Sequence, residues 1–225
     1  MQTLNDRNMT RQQTSSLASF TLLETVLILC VLTVALGFLL PAMAKAKAKS
    51  SRIGCINCIK QIGLGFRMYA NDNGDKFPWE PQTNATALSL LPPKILEPCQ
   101  YFQMLSNELV NPKILICPND TNRRPAREFS TLANSNVSYF IGLDSKEGAA
   151  SLWLTGDRVL TRDRQQLPTG LNVLGTNDAI GWADEPHHGD GNIGFADGSA
   201  MQIGRKSVNK SFQENGLPVA RLLIP

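Results

Sequence analysis

From Phe20 to Ala44 the chain is apolar with a single charged interruption, Glu24. At about 1.5 Å per residue, roughly 25 helical residues match the ~30 Å hydrocarbon core of a bilayer, so this pattern predicts a membrane helix over residues 20–44. Beyond it the period changes. Ala44-Lys45-Ala46-Lys47-Ala48-Lys49 is strongly helix-forming. Cys55, Ile59, Ile62, Phe66 and Tyr69 then recur at helical spacing, with Ile53 and Ile56 widening the stripe. This predicts an amphipathic extension over 45–75 that stops at Asn71-Asp72-Asn73-Gly74-Asp75. Gly63 and Gly65 weaken that helix and suggest a sheet whose backbone crosses it closely.

The pattern loosens between Phe77 and Pro98, where proline is frequent and a short helix near Leu88 is the most that can be read. Tyr101–Leu109 has the spacing of a short amphipathic helix. Strand-like runs follow at Val137–Ile141, Leu152–Thr155 and Asn192–Ala196. Asp197-Gly198 separates the last from Ser199–Ile203, which predicts a hairpin near 190–204. The fold class expected is α+β: a long N-terminal helix packed on a small antiparallel sheet, the domain occupying 76–225.

Charge changes this picture little. The net charge of +3 is mild and partly local to Lys45–Arg52, which gives no footprint for nucleic acid. Glu24 matters more. A carboxylate inside a membrane helix costs on the order of 3 kcal/mol and normally has a partner. The polar stretch 1–19 is a poor domain and a poor Sec-type signal, because such signals are cut after their apolar core. A cut between Ser19 and Phe20 would create an α-amine one helical turn from Glu24. In a bundle of parallel helices that amine can neutralise Glu24 on the adjoining copy. Charge flanking the span argues the other way, with Arg7 and Arg11 before it but Lys45, Lys47, Lys49 and Arg52 after it.

Phe20-Thr21-Leu22-Leu23-Glu24 resembles the cleavage signal of type IV prepilins and type II secretion pseudopilins. The resemblance implies removal of 1–19 as a cytoplasmic leader by a prepilin peptidase and N-methylation of Phe20. Ser19 stands where the family usually has Gly, and is likewise small. Pro41 falls where these helices carry a loosening proline. It cannot donate to the Gly37 carbonyl, and Gly37 is itself a weak helix former. Residues 52–73 resemble the helix extension of G-type pseudopilin-related proteins, Ile116-Cys117-Pro118-Asn119-Asp120 their Cys-Pro-x-Asp turn, and His187 through Asp197-Gly198 their H-x9-DG segment. The implied localisation is the bacterial inner membrane, single-pass, with a periplasmic C-terminal domain. Implied partners are other pilin or pseudopilin subunits, the peptidase and inner-membrane lipid.

Cys30 lies in the apolar run and reads as a small filler. Four further cysteines allow three pairings. The family-like positions favour Cys55 with Cys117, leaving Cys58 and Cys99 for a second bridge. A Cys55-x-x-Cys58 redox pair or a zinc site remains open, although Cys99 and Cys117 form no second CxxC. His187, His188, Asp190, Asn192 and Asp197 are the polar cluster that invites chemistry. Read as structure, its glycines make turns, and His187 pins the hairpin of Asp197-Gly198 through a backbone hydrogen bond. Read as a site, Asp190, Asn192 and Asp197 offer oxygen ligands for calcium, the sole cofactor candidate, as in some pseudopilins.

The function expected is that of a structural filament subunit, not an enzyme. The alternative is a membrane-anchored periplasmic binding or metal-dependent hydrolytic domain using His187 and Asp190, and a third reading is an uncleaved anchored protein.

Overall fold

A computed structural model describes residues 21–80, 95–184, 187 and 189–225, without the side chains of 38, 40–42, 44–45 and 48–49. The Ser19–Phe20 junction, the short helix expected near Leu88, and His188 lie outside the described residues. The chain divides into two units, Met1–Ala46 and Lys47–Pro225.

Helix α1, Leu22–Asp72, runs through Gly37 and Pro41 and belongs to both units. Thr21 Oγ1 accepts from the Glu24 amide at 3.3 Å, capping its start, and Glu24 lies in the first turn. In the first unit Leu22, Leu23, Val26, Leu27, Val31 and Val34 are all exposed. Among the described residues, no helix is long and apolar enough to cross a membrane. Phe20 and several side chains of the expected span, 20–44, lie outside the described residues.

In the second unit α1 buries Cys55, Ile59, Ile62, Phe66 and Ala70 completely. Ala70, rather than Tyr69, closes the stripe, because four residues is nearer the helical repeat than three at that point. The helix stops at Asp72, and Gly74 takes a φ of 69°, the left-handed geometry a helix exit favours. The expected 101–109 helix is two pieces, α2 at Pro98–Met104 and α3 at Ser106–Leu109.

The strands are β1 Tyr139–Gly142, β2 Trp153–Asp157, β3 Leu160–Arg162, β4 Gln165–Gln166, β5 Gly170–Gly175, β6 Ile180–Trp182, β7 Gly191–Phe195, β8 Ala200–Ile203 and β9 Val219–Ile224. Six form one antiparallel sheet in the order β5-β9-β1-β2-β7-β8, and β4-β3-β6 form another. Helix α4, Val208–Gln213, lies between β8 and β9 in sequence. The class is therefore α+β, with far more sheet than the expected hairpin and pair of strands.

Both faces of the large sheet are covered. Tyr139, Ile141, Leu154 and Leu223 belong to one core with the inner stripe of α1. Phe140, Trp153, Ile193 and Leu222 alternate with them into a second core with Trp182 and with Phe212 of α4. Close approach of sheet to helix occurs at Gly194 of β7, where a Cβ would sit 2.6 Å from Ile59 Cγ2. Gly65 faces a helix and not the sheet: a Cβ there would run into Leu109 Cδ2 of α3.

Candidate functional site

Four segments converge on the imidazole of His187, which is 1% exposed. The turn after Ile116 brings Cys117 and Asn119, closed by the Asp120 amide donating to the Cys117 carbonyl at 2.8 Å. The inner stripe of α1 brings Cys55, which forms a disulfide with Cys117. The end of β2 brings Asp157 and the start of β7 brings Asn192.

His187 Nε2 lies 3.2 Å from Cys117 Sγ, 3.4 Å from Asp157 Oδ2 and 3.4 Å from Asn192 Nδ2, and Nδ1 lies 3.2 Å from Asn119 Nδ2. Asp157 Oδ2 accepts from the Asn192 backbone amide at 2.8 Å and its side-chain amide at 2.9 Å. Asp157 Oδ1 and Asn192 Oδ1 are buried and find no hydrogen-bond partner among the described residues. Burial pushes the Asp157 carboxyl up to about 7 against the pull of the Asn192 donors. The tautomer in which Nδ1 accepts from Asn119 Nδ2 puts the ring hydrogen on Nε2, on the side of Cys117 Sγ and Asp157 Oδ2.

A second charged knot lies beside it. Arg158 Nε donates to Asp120 Oδ2 at 3.0 Å and Nη2 to Oδ1 at 3.3 Å, while Ser138 Oγ donates to Oδ2 at 3.0 Å. Burial alone would raise Asp120, but Arg158 and Ser138 outweigh it and hold the carboxyl below its ordinary value. Arg123 donates to the carbonyls of Asn134, Val137 and Pro225, and burial lowers it to about 10, which leaves it charged.

Several expected arrangements are corrected by this geometry. His187 lies against the side chains of Cys117, Asn119, Asp157 and Asn192. Its carboxylate partner is Asp157; Asp190 instead accepts from Gln202 at 3.2 Å and lies 3.9 Å from Arg52. The calcium set does not assemble. Asn192 lies near the start of β7, whereas Asp197 lies in the turn beyond its far end and caps the Ser199 amide at 2.8 Å. Gly198, with a φ of 84°, makes the β7–β8 turn together with Asp197. Cys58 and Cys99 are free thiols rather than a second bridge, and burial raises both. Cys30 is free and exposed. The Cys55-x-x-Cys58 pair is split because only Cys55 lies on the buried stripe of α1.

Asp157 and Arg158 are the site residues that sequence reasoning passed over, and Asn119 entered it only as a member of the Cys117 turn motif. The one local signal is the doublet Asp157-Arg158 ending an apolar run. A groove of about 600 Å³ beside β8 and α4 is lined by Phe195, Met201, Lys210 and Glu214 among others, and none of its lining residues is His or Cys. No family model, curated protein or solved structure matches this chain.

Proposed function

We propose that the chain is a structural subunit of a pilin- or pseudopilin-like assembly, serving a type II secretion or type IV pilus-like machine of the bacterial inner membrane. The observation that carries this reading is the single helix Leu22–Asp72 with two different surfaces. Its first half exposes a row of leucines and valines, and its second buries Cys55, Ile59, Ile62 and Phe66 in the folded domain. Large apolar side chains exposed in a row need a lipid or protein environment. Glu24 in the first turn of that apolar half needs a cationic partner there. The α-amine of a cleaved, methylated Phe20 on the adjoining copy supplies one, so Phe20 and Glu24 set the register between subunits. Pro41 and Gly37 give the helix a place to adjust during packing.

The test is co-purification of tagged and untagged copies from membranes. Glu24→Ala is expected to insert normally yet lose most of the pairing that the unaltered chain shows. Equal pairing by the variant would refute the charge partnership. A hydrolytic or binding site at His187 with Asp190 has no support from the geometry, since His187 is enclosed and Asp190 is engaged with Gln202 and Arg52.

A further inference from the structure

The disulfide between Cys55 and Cys117 is accompanied by groups that a disulfide does not need. Cys55, Cys117 and His187 are all buried, and each presents a ligand atom, the three lying within 4.8 Å of one another. Asp157 contacts the same Nε2 and has a buried oxygen with no partner among the described residues.

We propose that in the reduced chain Cys55, Cys117 and His187 form a binding site for zinc or a similar soft divalent ion, with Asp157 moving in from its place beside Nε2 as fourth donor when the sulfurs part, and that the disulfide replaces this ion on oxidation. Tetrahedral zinc with Zn–S near 2.3 Å and Zn–N or Zn–O near 2.0 Å places S and N about 3.5 Å apart and N and O about 3.3 Å apart. The corresponding separations here are 3.2 Å for Cys117 Sγ to His187 Nε2 and 3.4 Å for Nε2 to Asp157 Oδ2. The sulfurs would part to about 3.8 Å, the spacing of two thiolates on one zinc. Two thiolates, an imidazole and a carboxylate suit zinc and disfavour calcium, which takes oxygen ligands.

The exchange balances with a dithiol as reductant. It passes two electrons and two protons to the disulfide, leaving thiols at Cys55 and Cys117 and closing its own cyclic disulfide. The metal then displaces both thiol protons. The hydrogen on Nε2 is relocated to Nδ1, where Asn119 receives it by turning its amide oxygen inward, so that Asn119 orients the ligand. A catalytic thiol–disulfide exchange role is a poorer fit, because Cys55 and Cys117 are 0% and 1% exposed, so a thiolate reaches them only when the domain opens locally, which suits slow reduction and not turnover. The site does not depend on the filament reading.

The experiment uses the full chain in detergent, purified with dithiothreitol, exposed to zinc, desalted and measured for metal and for reactive thiols. About one zinc per chain is expected in the reduced protein, with two thiols protected from alkylation, and none in the oxidised protein. Asp157→Asn should weaken binding about 10- to 100-fold, and His187→Ala should abolish stoichiometric retention. Cobalt added to the unaltered reduced chain, which needs no variant to fold, should give a thiolate-to-metal charge-transfer band. Absence of that band, or zinc held equally by the oxidised chain or by His187→Ala, would overturn the proposal.

Discussion

Asp120 ties together three segments that are distant in sequence, its own turn, Ser138 and Arg158. Removing it by Asp120→Ala leaves the half-buried Arg158 without its counter-charge, which is expected to cost on the order of 3 kcal/mol in urea unfolding. Its pH behaviour follows from the direction of its shift. Because the folded carboxyl is held below its ordinary value, its stabilisation is present above the unfolded value, near 4, and is lost as pH falls through the folded one. The unaltered domain should therefore lose more stability than Asp120→Asn on going from neutral pH to about 3. An equal loss in both would show that the Arg158 pairing contributes nothing. Single residues of this kind are hard to find from sequence. Asp120 was visible only within a turn motif, and Asp157 only as a charge after an apolar run, because their partners lie 38 and 35 residues away.

Helix α1 and the β7–β8 hairpin were legible because each carries a local signal. One buries a single stripe of a helix, and the other turns on Asp197-Gly198. The cores of β1 and β2 were found as apolar runs, but not their surroundings. Both faces of the large sheet are covered, so Tyr139, Phe140 and Ile141 are all buried and no polar alternation marks the strand. Strand β9 escaped notice for a different reason: it pairs with β1 and β5 across long stretches of chain, and no local period reports that. Packing predictions belong to this scale. Phe66→Ala removes a completely buried ring from contact with Phe77, Trp79 and Phe102 and should cost about 3–5 kcal/mol, read as a lowered unfolding midpoint. Gly65→Ala should cost about 1–3 kcal/mol by driving a methyl into Leu109 of α3. Lys60→Ala, on the exposed face of the same helix, should change stability by less than about 0.5 kcal/mol. The disulfide closes a separation of 62 residues between α1 and the Cys117 turn. Chain-entropy reasoning puts its contribution on the order of 4 kcal/mol, measurable by comparing oxidised and reduced unfolding in the presence of a metal chelator.

At the scale of the whole molecule, the exposed apolar half of α1 and the enclosed polar knot of the domain have separate tasks. The knot around His187 and Asp120 holds the Cys117 turn, β2 and β7 together, whereas the exposed leucines and valines have no covering within their own unit's described residues. The filament reading joins these facts through Glu24, an acid in an apolar surface that a cleaved neighbouring copy can answer. The most direct measurement is the mass of the N-terminal peptide of the chain isolated from bacterial membranes. The account predicts a peptide that begins at Phe20 and carries one added methyl group. A membrane-resident chain still beginning at Met1 would contradict it.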